Sequence, residues 1–232
     1  MPIGAWYGPS TAWLVACAIM PSIKTGAHMP IELGVYPTIQ PDTALGQALV
    51  AFFDVLEPIF ADGENGVFQV IVFGGCAVHV HTQARGSADV DAEVASHGYA
   101  DKKEVIGLLD DDAYLFADEA GVSQILELDP GFNTTLGPLH EDYEDRVIRL
   151  VTQSGVDNVE VYIAGAMDVA ISKLGRFGER DQSDIQALLR LPNVEVEEFE
   201  RLAREAIDYY VGSHLPIKGN LNVVLDDYHN GG

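Results

Sequence analysis

The chain has 232 residues, of which 47% are hydrophobic and 9% aromatic, a composition that excludes a wholly disordered protein. Its 36 acidic residues outnumber the 13 lysines and arginines, and the formal net charge of −23 disfavours nonspecific binding to nucleic acid. Two cysteines, Cys17 and Cys76, are too few for a disulfide framework, so we expect a reducing, cytoplasmic setting.

The chain opens with a leader, residues 1–28, that is broken up by glycine and proline. Its apolar stretch AWLVACAIM covers only about half of the length that a membrane-spanning helix needs. No lysine or arginine precedes this stretch, so it makes a poor signal peptide. We expect the leader to be disordered or extraneous, with Met29 as the natural start.

The next elements alternate between helix and strand. Residues 44–60 have helical spacing of apolar side chains, and Asp42 is placed to cap the helix. Residues 67–73 (VFQVIVF) are rich in β-branched and aromatic side chains, which predicts a strand buried on both faces. A Gly-Gly pair and a short helix through CAVHVH follow, and residues 88–94 read as the next strand.

A second group of elements completes the fold. Residues 101–109 read as a helix, and the runs AYLFA and SQILEL flank a turn, which predicts a hairpin. Residues 130–146 read as a loop with one helical turn, and VEVYIA at 159–164 as a strand. Three helical patterns then follow one another, in GAMDVAISKL, DQSDIQALLR and VEEFERLAREAIDYYV.

This order of elements predicts an α+β fold with a mixed β-sheet and flanking helices, followed by a helical C-terminal part. We divide the chain into the leader, an α/β domain at 29–164 and a helical subdomain at 165–232.

The predicted strand at 88–94 carries acids at alternate positions, Asp89, Asp91 and Glu93. Side chains alternate between the faces of a strand, so these acids share one face while Val90, Ala92 and Val94 share the other. Neighbouring carboxylates repel each other unless a cation lies between them, and Mg²⁺ binds such oxygens together with substrate phosphates. Two-metal sites of this kind catalyse phosphoryl and nucleotidyl transfer.

Gly74 and Gly75 supply a second feature of such a site. Glycines between a buried strand and a helix let a phosphate approach the backbone closely. The start of the helix adds free N–H groups and a partial positive charge. Either feature alone is common, but the two together at this spacing are much less so.

Gly-Gly, a short helix and then Arg85-Gly86-Ser87-Ala88-Asp89-Val90-Asp91 resemble the signature of the DNA polymerase β-like nucleotidyltransferase superfamily. The later stretch from Lys173-Leu174 to Arg180-Asp181-Gln182-Ser183-Asp184-Ile185 resembles a segment of bacterial AbiE-type abortive-infection toxins and their relatives. The resemblance extends over residues 67–190. It implies a nucleotidyltransferase-like fold, and by itself it does not establish catalysis.

The resemblance assigns a role to each matching residue. Gly74 and Gly75 would cradle phosphate, and Asp89 and Asp91 would bind Mg²⁺ in a two-metal site. Lys173 would neutralise the triphosphate of a nucleoside triphosphate (NTP). The same phosphate-binding pocket would include the following residues: Arg85, Ser87, Arg180, Asp181 and Asp184.

The family's third carboxylate lies on a later strand, and this chain offers Glu127 and Glu160 between apolar neighbours. We favour Glu127, because its hairpin comes soon after the Asp strand and a strand reached that soon tends to lie alongside. Glu127 would then act as the base or as a metal ligand. Both candidates are one methylene longer than the usual Asp, which weakens the case for an intact two-metal site.

The predicted activity is Mg²⁺-dependent transfer of a nucleoside monophosphate (NMP) from an NTP to a hydroxyl of RNA, protein or a small molecule. The negative net charge argues against a bare RNA acceptor. The resemblance also implies a toxin whose antitoxin partner masks the site. Two rivals remain open: a non-catalytic interaction protein on the same scaffold, and a small-molecule nucleotidyltransferase of the antibiotic-modifying kind.

Overall fold

A computed structural model describes residues 36–56, 68–96, 107, 109, 114–151 and 159–231 of the chain. The leader at 1–28 lies outside the described residues, as does nearly all of the helix expected at 101–109.

A five-stranded mixed sheet forms the centre of the described structure, with the strand order β1-β7-β8-β2-β4. Its strands are β1 (Thr38–Ile39), β2 (Phe68–Val72), β4 (Ala92–Ser96), β7 (Ile148–Leu150) and β8 (Val159–Ile163). Strand β2 pairs in parallel with β8 and antiparallel with β4. The β-branched run of β2 therefore occupies an inner position of the sheet, as its composition predicts.

A smaller sheet has the order β3-β6-β5 and contains β3 (Asp89–Val90), β5 (Tyr114–Ala117) and β6 (Ser123–Leu128). Strands β5 and β6 form the predicted hairpin, and β6 lies parallel to β3, so the expected pairing with the Asp strand is confirmed.

The single strand expected at 88–94 is divided at Asp91. The backbone N–H of Asp129 donates to the carbonyl of Val90 at 3.0 Å, whereas the carbonyl of Asp91 accepts from the N–H of Phe73 at 2.7 Å. The chain therefore passes from one sheet to the other at this residue. Val90, Ala92 and Val94 are all buried, which confirms the predicted alternation.

Six helices are described: α1 (Ala44–Asp54), α2 (Gly74–Thr82), α3 (Ala166–Lys173), α4 (Glu179–Leu189), α5 (Val196–Tyr209) and α6 (His214–His229). Thr43, not Asp42, caps α1, and its hydroxyl accepts from the N–H of Gly46 at 3.1 Å. The loop after β6 contains two short 3₁₀ turns, at Thr134–Leu136 and Tyr143–Arg146, instead of one.

The core lies between one face of the larger sheet and the helices. Val70, Val72, Val161 and Ile163 are almost completely buried. Helix α3 contacts α2, α4 and α5, and so joins the sheet to the C-terminal helices. The α+β nucleotidyltransferase-like fold with a helical C-terminal part is thus confirmed. Within the described part of the chain, no helix is both long and apolar enough to cross a membrane.

Candidate active site

The turn between β2 and α2 brings backbone and carboxylate into close contact. Gly74 has a φ of +59°, a backbone conformation that residues other than glycine rarely adopt. A Cβ atom built there would lie 1.7 Å from Oδ2 of Asp91, so only glycine leaves room for this carboxylate. The following residue, Gly75, leaves room for Ser87 and Arg85 in the same way. The Gly-Gly pair therefore packs directly against the predicted acid motif.

Asp91 shares its surroundings with other carboxylates. Burial raises the pKa of Asp91, and repulsion from Asp129 raises it further, with a smaller contribution from Asp89. The cations of Lys173 and Arg176 act in the opposite direction but do not cancel these effects. Asp91 and Asp129 line the same cleft. Carboxylates that repel one another in this way form a favourable place for a cation.

The register of β3 and β6 identifies the third acid of this group. Asp89 lies opposite Glu127, and Asp129, the residue directly after β6, lines the cleft. Glu127 is exposed and is not among the described residues that line the cleft. The structure therefore favours Asp129 over Glu127 as the acid beside Asp91.

The second candidate, Glu160, lies in the larger sheet and is engaged elsewhere. It is buried, and its carboxylate accepts from the hydroxyl of Tyr162 at 2.8 Å and from the amide of Gln69 at 3.1 Å. Arg149 lies 3.3 Å from it. Glu160 therefore stabilises its own sheet and does not line the cleft.

Ion pairs join the two sequence motifs across the chain. Asp184 accepts two hydrogen bonds from the guanidinium of Arg85, at 2.7 and 2.6 Å, and lies 2.9 Å from Nζ of Lys173. Asp181 accepts two hydrogen bonds from Arg176, both at 2.7 Å, and lies 3.4 Å from Lys173. Asp181 also accepts from the N–H of Gly178, so it caps α4 as well as joining this network.

Both aspartates of the network are buried, and burial alone would raise the pKa of each. The hydrogen bonds from Arg176 to Asp181, and from Arg85 and Lys173 to Asp184, outweigh that effect and hold both pKa values below the usual 3.8. Both residues are thus ionised at neutral pH and hold the cations in place.

The cations differ in their access to the cleft. Lys173 is only 6% exposed but lines the cleft, and the side chain of Arg176 is 77% exposed and lines it too. Arg85 reaches Lys173 only through Asp184. Arg180 is exposed on α4 and does not line the cleft. The structure therefore brings Lys173 and Arg176 to the cleft, and leaves Arg180 outside it.

The cleft has a volume of about 230 Å³, which is at the small end for a ligand site. Its lining includes Gly74 and Asp91, together with Ser172, Lys173, Arg176 and Asp181. The loop after β6 adds Phe132, Asn133, Thr134, Leu136, Gly137 and Leu139. Such a cleft matches a chain of phosphates better than a whole nucleotide, whose remainder would extend past the rim.

The segment that provides this loop is strongly acidic. Residues 114–145 contain no lysine or arginine. Their acids are Asp118, Glu119, Glu127, Asp129, Glu141, Asp142, Glu144 and Asp145. Of these acids, Asp129 alone is among the described residues that line the cleft. Asp91 and Asp129 share the cleft with the cations Lys173 and Arg176, and we call it the bipolar cleft.

Two interactions hold this segment in place near its end. The hydroxyl of Tyr143 donates to the carboxylate of Glu93, and the Tyr143 ring lies 5.8 Å from that of Phe73. Arg146 donates to both oxygens of the fully buried Asp168, at 2.8 and 2.7 Å. Glu93, the third acid of the alternating motif, thus positions the loop of the cleft.

No group of three or more His, Cys, Asp or Glu side chains in the described residues is arranged to hold a metal ion unaided.

A comparison with protein families places the chain in a family. A family model described as "Nucleotidyltransferase of unknown function (DUF6036)" matches residues 48–219, which is more than half of the chain. The match includes the Gly-Gly turn, both acid motifs and the ion-pair network. The comparison with curated proteins finds no match. The chain belongs to this nucleotidyltransferase family.

Proposed function

We propose that this member of the nucleotidyltransferase family transfers an NMP from an NTP to an acceptor hydroxyl and releases pyrophosphate. The observation that carries the proposal is the bipolar cleft, in which Asp91 and Asp129 face Lys173 and Arg176 beside the Gly74 turn. Transfer from an NTP needs cationic side chains beside the phosphates. It also needs protein carboxylates near the reacting phosphorus, and this cleft offers both.

The phosphate chain would lie along the cations of the bipolar cleft. The free N–H groups at the start of α2 would donate to phosphate oxygens, and the helix dipole adds a partial positive charge. Lys173 supplies a point charge, and the guanidinium of Arg176 can hydrogen-bond to two oxygens at once. Arg85 and Asp184 keep Lys173 in place without contact with the substrate.

Mg²⁺ fits the acid group, because Asp91 and Asp129 share the cleft. Asp89 is not among the described residues that line the cleft, but it lies close enough to act on the pKa of Asp91. When bound there with the phosphates, the ion would neutralise charge that develops on the phosphate oxygens. The crowded carboxylates are the reason for this assignment, since their repulsion would be relieved by a cation.

In the reaction, the acceptor oxygen forms a bond to the α-phosphorus while the bond from that phosphorus to the pyrophosphate oxygen breaks. The hydroxyl proton passes to a carboxylate, for which Asp129 is the best-placed candidate. Lys173 and Arg176 stabilise the negative charge that collects on the departing pyrophosphate.

The acidic segment at 114–145 bears on the acceptor. A polyanion such as RNA would be repelled by the acids of this segment, so a neutral or cationic hydroxyl compound, or a protein side chain, is favoured. A toxin role with a masking antitoxin rests on the resemblance to AbiE-type proteins, and we retain it as part of the proposal.

Labelled NTPs test this function. The protein is incubated with Mg²⁺, a lysate and NTP labelled on either the α- or the γ-phosphate, beside Asp91→Ala and the exposed control Asp227→Ala. We expect α-label alone to enter macromolecules or small acceptors with the parent and the control, and not with Asp91→Ala. Absence of transfer by the correctly folded parent, with each of the four NTPs, would support the non-catalytic scaffold instead.

A further inference from the structure

His79 and His81 of α2 turn to different partners. His81 donates from Nε2 to the carbonyl of Ala164, at the end of β8, at 2.8 Å. His79 is 7% exposed and bridges two other segments, the start of α1 and the loop after α2. The pair does not chelate one ion, which agrees with the side-chain directions of residues two apart on a helix.

The hydrogen bonds of His79 fix its tautomer. Nδ1 lies 2.7 Å from the carbonyl oxygen of Arg85, which only accepts, so Nδ1 carries the proton. Nε2 lies 2.8 Å from the hydroxyl of Thr43, and that oxygen already accepts from the N–H of Gly46. The Thr43 hydroxyl can therefore donate to Nε2 while its oxygen accepts from Gly46, and this leaves Nδ1–H for the Arg85 carbonyl.

The loop that His79 holds carries a residue of the ion-pair network. Gln83 ends α2 in the left-handed conformation, with a φ of +54°, and the chain then turns toward Arg85. The carbonyl of Arg85 accepts from His79 while its guanidinium grips Asp184, which in turn holds Lys173. A continuous series of contacts thus runs from His79 to the cleft.

The other end of the bridge lies beside the β5–β6 hairpin. Glu119, in the turn of the β5–β6 hairpin, accepts from the N–H of Ala44 at 2.7 Å, next to Thr43. The hairpin and His79 therefore meet at the start of α1. Through β6, the same hairpin leads to Asp129.

We infer that His79 is a positioning residue, which sets the Arg85 loop and, through Asp184, the place of Lys173 against the phosphates. It acts through its Nδ1–H bond to Arg85, and not by contact with substrate or metal. The role in phosphate binding depends on the proposed function, whereas the effect on the loop does not.

Two conservative variants separate the two bonds. The amide nitrogen of Asn takes the position of Nδ1, so His79→Asn retains the donor to Arg85. The amide of Gln reaches the position of Nε2, so His79→Gln retains the contact with Thr43 and loses that with Arg85. Both substitutions leave a polar group in place, and circular dichroism is used to check that both variants fold.

Hydrogen–deuterium exchange of the 83–88 amides gives the readout that needs no activity. We expect exchange several-fold faster in His79→Gln than in the parent, and near-parental exchange in His79→Asn. Equal exchange in the two variants, or parental exchange in His79→Gln, would overturn the inference.

Steady-state kinetics give the second readout. We expect the KM for NTP to rise several-fold in His79→Gln with a smaller change in kcat, because Lys173 holds the phosphates in both the ground state and the transition state. We expect His79→Asn to keep the parental KM. If the parent transfers no NMP, the proposed function fails and the exchange data alone decide the role of His79. An unchanged KM in His79→Gln, with activity present, would also overturn the inference.

Discussion

Gly74→Ala tests the contact on which the site is built. At a φ of +59° an alanine costs about 1–2 kcal/mol in backbone strain. Its Cβ would also lie 1.7 Å from Oδ2 and 2.6 Å from Cγ of Asp91, so that carboxylate must move by an ångström or more. Misplacement of about 1 Å in a reacting group lowers catalysis by roughly a hundredfold. We therefore expect Gly74→Ala to lower the free energy of unfolding by at least about 1–2 kcal/mol. We also expect it to lower kcat/KM by about a hundredfold.

Urea denaturation followed by circular dichroism measures the stability, and pyrophosphate release measures the reaction. Gly86→Ala is the matched control, because a Cβ at Gly86 meets nothing within 4 Å and its φ is not in the left-handed region. Parental stability and activity in Gly74→Ala would refute the assigned backbone geometry. Parental activity with reduced stability would show that Asp91 is not needed where the structure places it.

Three further predictions concern the charged groups. Burial and Asp129 raise the pKa of Asp91, so the folded state binds the proton more tightly than the unfolded state does. The ionised carboxylate therefore destabilises the fold, and this cost grows as the pH rises above the usual pKa of 3.8. Asp91→Asn is therefore expected to stabilise the metal-free protein at pH 7, by about 0.5–2 kcal/mol, and to lose this advantage below pH 3.8. Asp184→Ala leaves two cations without their buried partner and should destabilise by about 3–5 kcal/mol, whereas breaking the exposed pairs of Arg201 should change nothing measurable. Arg176→Gln should raise the KM for NTP about tenfold, and Arg180→Gln should leave it unchanged, because only Arg176 lines the cleft.

Each of these has a result that contradicts it. Reduced stability of Asp91→Asn at pH 7, in the presence of a chelator, would mean that the carboxylate is not strained by its neighbours. A loss below about 1 kcal/mol in Asp184→Ala, seen in its urea midpoint, would mean that the network is not a buried one. Equal KM values for the Arg176→Gln and Arg180→Gln variants would remove the distinction between the two arginines.

Much of the fold follows from local patterns. The β-branched run of β2, the glycines that begin α2 and the hairpin of β5 and β6 are each determined by residues close in sequence. Helix α6 is a different case, because Pro216 and Gly219 argue against a helix. Proline is tolerated in the first turn, where its missing N–H is no loss, and the buried Leu221 and Val224 stabilise the helix by packing.

The site shows where reasoning from sequence ends. The motif predicts Asp91 and Lys173 beside the glycines, and the structure places both on the cleft with Gly74. The sequence does not predict Asp129 as the acid beside Asp91, because the choice between Glu127 and Asp129 depends on the register of β3 and β6, two strands far apart in the chain. A signal was available, since Asp129 follows Glu127 at the same spacing as Asp91 follows Asp89.

The most direct test of the account compares Glu127, an acid of β6, with Asp129, the residue directly after that strand. Mg²⁺-dependent pyrophosphate release is measured for the parent, Asp129→Asn and Glu127→Gln at a saturating concentration of the preferred NTP. The bipolar cleft predicts that Asp129→Asn loses at least a hundredfold of the rate while Glu127→Gln keeps most of it. The reverse order, or parental rates in both variants, would contradict the assignment of the cleft as the site of nucleotidyl transfer.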